Sequence, residues 1–140
     1  MLEIVDRPID VAEVRAAVAD PTCGAVLVFE GVVRDRHQGR EVTRLSYEAW
    51  SEAARDVLAE IAAEIEERWA PCRVAIVHRI GDVPAGRTTV VIAVATPHRE
   101  ACYLANRYAI EQLKHRLPIW KREVTVDGSA WKANTPARGA

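Results

Sequence analysis

The sequence has little with which to staple itself or to bind metal. Its 140 residues include three cysteines, one methionine and one phenylalanine, and aromatic residues make up 6%. The cysteines, Cys23, Cys72 and Cys102, are odd in number and far apart. That argues against a disulfide framework or a Cys-x-x-Cys metal site. Charge of one sign is also lacking, because 19 basic residues face 20 acidic ones and the net charge is −1. A global pull toward nucleic acid or a membrane surface is therefore not expected. No apolar run is long enough to span a bilayer, and the first residues, Met-Leu-Glu-Ile-Val-Asp-Arg, do not resemble a secretory signal. The expectation is a cytoplasmic protein with reduced thiols. There is no phosphate-cradling Gly-rich loop, no Gly-x-Gly-x-x-Gly, no nucleophile elbow and no His-Glu-x-x-His. The histidines His37, His78, His98 and His115 are scattered, so neither a metal nor a cofactor is expected.

What is present suits one domain spanning residues 1–140, with 49% hydrophobic and 28% charged residues. Asp10-Val-Ala-Glu13 looks like a capping box that opens a short helix. Gly24 to Arg34 reads as a buried strand, Asp35 to Arg40 as a polar turn or mobile loop, and Val42 to Trp50 as a second strand forming a hairpin with the first. Ser51 is placed to cap a helix in which Ala54, Val57, Leu58, Ile61, Ile65 and Trp69 recur at helical spacing. Arg73 to Ile80 and Thr88 to Thr96 are β-branched strands around a turn at Gly81 to Gly86. Pro97 starts a second long helix, Pro118 breaks it, and Ile119 to Val126 reads as an edge strand or return segment. The order predicts an α+β domain, helices packed on a mainly antiparallel sheet.

Charge that balances overall is uneven locally. Ser51 to Trp69 is acid-rich, whereas Pro97 to Arg122 is base-rich and also holds His98 and His115. Three basic clusters stand beside structural breaks: Gly31-Val-Val-Arg34, Thr96-Pro-His98-Arg99, and Lys114 through Pro118 to Lys121. Loops at strand ends and helix starts present side chains from a rigid base. An arginine near free helix N–H groups offers a planar fork to phosphate oxygens. Lys114 beside Lys121 makes a crowded cationic pair, and such crowding disfavours charge on one amine. Plain roles fit each residue taken singly. Arg34 and Lys121 can simply be solvated, His98 can cap a helix, and Lys114 can offset the helix dipole. Cys102 fits a small core residue, and Trp120 fits packing. Together the clusters point to an enzyme subunit acting on an anionic small molecule. Two alternatives stay open: a non-catalytic module binding a phosphorylated metabolite or nucleotide, and covalent chemistry on a cysteine.

Five stretches in order sharpen this. They are Gly24-Ala-Val-Leu-Val-Phe29-Glu-Gly31-Val-Val-Arg34; Leu45-Ser-Tyr47-Glu48; Arg73-Val-Ala-Ile-Val-His78-Arg-Ile-Gly81; Thr96-Pro-His98-Arg99; and Leu113-Lys114-His-Arg-Leu-Pro118-Ile-Trp120-Lys121-Arg122-Glu123, with Trp131 trailing. In them the chain resembles the large, catalytic subunits of molybdopterin synthases over nearly its whole length. The resemblance implies an α/β hammerhead-like fold and a homodimer within a heterotetramer. Each end of the dimer would carry a small ubiquitin-like sulfur-carrier subunit, whose C-terminal Gly-Gly thiocarboxylate enters a pocket. It implies a sulfurtransferase that converts cyclic pyranopterin monophosphate to the molybdopterin dithiolene in molybdenum cofactor biosynthesis, consuming two donors per product. By matching positions, Arg34, His98 and Arg99 would hold the substrate phosphate. Lys114 and Lys121 would sit where donor tail and pterin meet, extended by Arg122 and Glu123, with Val32 and Val33 on the approaching strand. Position 32, often basic in the family, is Val here, and the further basic residue of relatives' longer tails has no assigned equivalent in the stretch through Arg138-Gly-Ala.

Overall fold

The structure is a computed structural model that describes residues 1–126 and the backbone of 128–133, with side chains to residue 126 and at Gly128. Its elements run β1 (Leu2–Val5), α1 (Val11–Ala16), β2 (Ala25–Val32), β3 (Arg36–His37), β4 (Arg40–Ala49), α2 (Ser51–Arg68), β5 (Arg73–Arg79), β6 (Gly81–Pro84), β7 (Thr88–Thr96), α3 (Arg99–Arg116), β8 (Ile119–Thr125) and β9 (Gly128–Ala133). The α+β expectation holds: among the described residues two sheets carry three helices, and every strand pair is antiparallel except β1 with β5.

The first sheet has the order β1-β5-β7-β2. Its central strand β7 is buried on both faces, which explains its unbroken run Val-Val-Ile-Ala-Val-Ala. Strand alternation divides that run. Val90, Ile92 and Val94 face the core built with α2 and α3, where Leu58, Ile61 and Ile65 are fully buried. Burial of each such side chain stabilises by roughly 1.5–3 kcal/mol. Val91, Ala93 and Ala95 face the short α1, and their small size lets Val14 and Val18 settle close. Helix α1 is opened as expected by Asp10, whose carboxylate accepts from the backbone N–H of Ala12 at 3.1 Å and Glu13 at 3.3 Å. On the outside, Arg116 of α3 bonds Glu64 of α2 at 2.8 Å and Glu60 at 3.1 Å. Tyr108 donates to the same Glu64, whose carboxyl is held down at about 2, first by Arg116 and then by Tyr108.

The second sheet runs β3-β4-β8-β9, with β6 also on β4. Here several expectations are corrected. Strand β2 is a half-exposed edge strand rather than a buried one, and it does not form a hairpin with β4; it pairs with β7, and β4 pairs with β8. The segment Gly81 to Gly86 is only partly turn, because Gly81–Pro84 pairs with Arg44 to Tyr47 of β4. The return segment β8 is an interior strand, flanked by β4 and β9. Ser51 is the first helical residue of α2; Trp50 takes the cap position, and no side chain caps it. Strand β1, absent from the sequence reading, pairs with β5. The Trp131 side chain and the tail beyond Ala133 lie outside the described residues.

Candidate active site

Both sheets contribute to one recess. Strand β2 approaches it tightly. A Cβ on Gly31 would lie 2.6 Å from Val90 Cγ1, so only glycine lets the strand pass there. A register shift follows between Gly31 and Val32, and the chain turns away from β7 carrying Arg34. From the other side, α3 ends at Arg116 and the chain reverses through Leu117 and Pro118 directly into β8. That reversal sets Lys114, on the last helical turn, near Lys121 on the first half of the strand.

The recess encloses about 180 Å³ and is lined by Phe29, Val32, Arg34, Arg36, His37, Leu45, Tyr47, Thr89, Ile110, Lys114, Lys121 and Glu123, among others. It runs into a smaller inner space of about 50 Å³, walled by Tyr47, His78, Leu113, Lys114, Leu117, Ile119 and Lys121. Cations thus rim an apolar floor, an arrangement that suits an anionic head on a flat, partly apolar ligand. Alternation along β8 puts Lys121 and Glu123 into the recess, and Trp120 and Arg122 on the other face of the sheet.

His78 stands at the inner end. Its Nδ1 lies 2.8 Å from the Arg79 carbonyl, and its ring meets Tyr47 edge-on at 5.4 Å. A carbonyl only accepts, so Nδ1 carries the proton and Nε2 is left as an acceptor. Burial, reinforced by the charge of Lys114, pushes the imidazole down to about 4, so it works neutral. Burial also raises the Tyr47 hydroxyl, against a hydrogen bond with Thr89.

Of the residues singled out from the sequence, the structure brings Val32, Arg34, Lys114, Lys121 and Glu123 to the recess. It does not bring the others. Val33 is 3% exposed and packs with Val42 and Val83. Arg122 is half-buried on the opposite sheet face. His98 and Arg99 line a separate hollow with Gly24, Pro97 and Glu100, at the far end of α3. The His98 side chain makes no cap hydrogen bond, so a plain capping role does not account for it. Tyr47, His78, Thr89, Arg36 and His37 line the site without having been assigned to it. Tyr47 and His78 stood inside matching stretches, which was the available signal.

Cys72 and Cys102 are poor nucleophiles. Burial pushes the Cys72 thiol up to about 11. It raises that of Cys102 as well, and this thiol lies buried with its sulfur 3.2 Å from the Val94 carbonyl. Among the described residues, no group of three His, Cys, Asp or Glu side chains is arranged to hold a metal ion. No described helix is long and apolar enough to cross a membrane.

A model of the MoaE protein family matches residues 4–116. The chain belongs to the MoaE family. A Bacillus subtilis member named molybdopterin synthase catalytic subunit is 46% identical over 129 residues, covering 92% of this chain and 82% of its own. The crystal structure of molybdopterin synthase from Staphylococcus aureus superposes with a TM-score of 0.91 at 44% identity, covering 94% of this chain and 96% of that one. The MoaE protein of Burkholderia ambifaria superposes with a TM-score of 0.80 at 31% identity, covering 97% of this chain and 90% of that one. The MoaE likeness thus embraces both sheets and the recess between them.

Proposed function

We propose that this chain, as a single domain, is the catalytic subunit of a molybdopterin synthase. It takes sulfur from the thiocarboxylated Gly-Gly tail of a small ubiquitin-like partner and delivers it to cyclic pyranopterin monophosphate. The observation that carries this reading is the convergence of Arg34, Lys114 and Lys121 on one apolar-floored recess. A thiocarboxylate, a phosphate and the carboxylate left after sulfur transfer are all anions. Preorganised cations at the point where charge develops supply the largest catalytic contribution in many enzymes. Lys114 stabilises that charge at the mouth of the inner space, and Lys121 faces it from β8. The donor's sulfur arrives on the partner's tail, in keeping with the raised thiols of Cys72 and Cys102. Three free cysteines suit the reducing cytoplasm.

His98 and Arg99 join the pocket from a second copy. Within one chain they sit at the start of α3 and Lys114 at its end, about 22 Å away at ~1.5 Å per residue. Strand β2 is the outer strand of its sheet, and Val26, Phe29 and Val32 on it, with Tyr103 and Leu104 on α3, are exposed. An exposed edge beside apolar side chains suits a two-fold contact between copies, with a small subunit at each end of the resulting heterotetramer.

The test is reconstitution with a thiocarboxylated partner and cyclic pyranopterin monophosphate, reading the dithiolene product. Turnover by the wild type, with substrate binding kept and turnover lost in Lys114→Ala, is the expected result. Substrate binding without turnover in the wild type would reduce the chain to a binding module.

A further inference from the structure

The polar segment from Asp35 to Arg40 takes no part in the chemistry proposed above. Its Arg36 and His37 side chains nevertheless line the recess, and His37 ties it to the site's cations. Arg34 Nη2 lies 3.4 Å from His37 Nδ1. On the other side of the ring, His37 Nε2 lies 4.0 Å from Glu123 Oε1. A guanidinium only donates, so Nδ1 must accept and carry no proton. The single proton of the neutral ring then sits on Nε2, facing a carboxylate that only accepts. One tautomer satisfies both neighbours.

The ring is also held in place by its backbone. Gln38 and Gly39 both adopt positive φ, 53° and 75°, the conformation of a tight two-residue hairpin turn. The turn locks His37 opposite Arg40 and Arg36 opposite Glu41. The His37 side chain is 33% exposed and that of Glu123 is 13% exposed, so the pair is partly shielded from water.

We infer that His37 is a positioning residue, a neutral imidazole that holds the Arg34 guanidinium over the recess by accepting from it while its own Nε2–H faces Glu123. The inference rests on the reading of Arg34 as an anion-holding residue.

Two measurements test this. In the chain alone, proton–nitrogen NMR of the imidazoles, with His37 assigned from a His37→Gln variant, should show the Nε2–H tautomer. The Nδ1–H tautomer overturns the inference even if the chain proves to have no synthase activity. In the reconstituted synthase, His37→Phe should raise KM for the pterin phosphate about tenfold, the worth of one charge-assisted hydrogen bond, with kcat within about twofold. His37→Gln keeps a side-chain acceptor and should recover most of the loss. A fall in kcat with KM unchanged, or failure of His37→Gln to recover, would mean that His37 merely packs the hairpin.

Discussion

Mixing two inactive variants tests the shared pocket directly. One carries His98→Ala and Arg99→Ala, the other Lys114→Ala. Arg99 and Lys114 bound nearly the whole of α3, whose helix runs unbroken from Arg99 to Arg116. Its two ends are about 22 Å apart at ~1.5 Å per residue, farther than a single pterin phosphate can bridge. If each pocket takes His98 and Arg99 from one copy and Lys114 from the other, a mixed dimer holds one pocket with every defect and one with none. Equal amounts with free exchange give half mixed dimers, each with one working site of two. The recovered rate is therefore about a quarter of wild type, set by two-fold symmetry alone. Each parent alone should fall by on the order of a hundredfold or more, so the recovery stands well clear of background. The assay is product formation with thiocarboxylated partner and substrate, alongside native mass spectrometry with one parent isotope-labelled to count mixed dimers. Mixed dimers without activity would refute the reasoning, and either His98 and Arg99 or Lys114 would then lie outside the working site.

Three further outcomes follow from the geometry. Lys114→Ala should slow turnover by on the order of a hundredfold or more, and Lys121→Ala by less, in single-turnover kinetics; near-normal rates in Lys114→Ala would leave it a helix-end charge. A Cys23→Ser, Cys72→Ala, Cys102→Ala variant that folds should keep activity, and loss of turnover with the donor tail still bound would return the sulfur to this chain. Glu64 is depressed to about 2 in the folded state, so its contribution is present above the ordinary carboxylate range and is lost as pH falls toward 2. Because the Glu64 side chain is 36% exposed, solvent screening limits Glu64→Gln to a cost of about 1 kcal/mol. Thermal melts should show that cost at pH 7 and a much smaller one near pH 2.5.

The elements legible in the sequence are those whose burial is written locally. Strands β5 and β7 are sheathed on both sides and read as apolar runs, and α2 carries its buried stripe at Leu58, Ile61 and Ile65. What was not legible is pairing. Nothing local tells β2 to choose β7 over β4, and the choice depends on Gly31 passing close under Val90. Strand β6 is disguised by Asp82 and Pro84, and β1 is four residues long. The lysines of the site could be seen because Lys114 and Lys121 flank a proline break. Tyr47 and His78 gain their positions from packing between the two sheets, which no local pattern encodes. The same tertiary arrangement separates His98 and Arg99 from the lysines, a distance that motif order alone conceals.

The passage from α3 into β8 has a consequence for how this protein can vary. The reversal at Pro118 leads straight into paired strand, so the count of residues before Lys121 decides which side of the sheet it occupies. Gain of one residue there would put Trp120 and Arg122, and loss of one Arg122 and Val124, where Lys121 and Glu123 now line the recess. Lys121 and Glu123 would then point to the opposite face of the sheet, and Lys114 would lose its partner lysine. Side chains in this stretch are individually replaceable at graded cost, but its length is a parity constraint, and lineages should accumulate substitutions there while excluding single insertions and deletions.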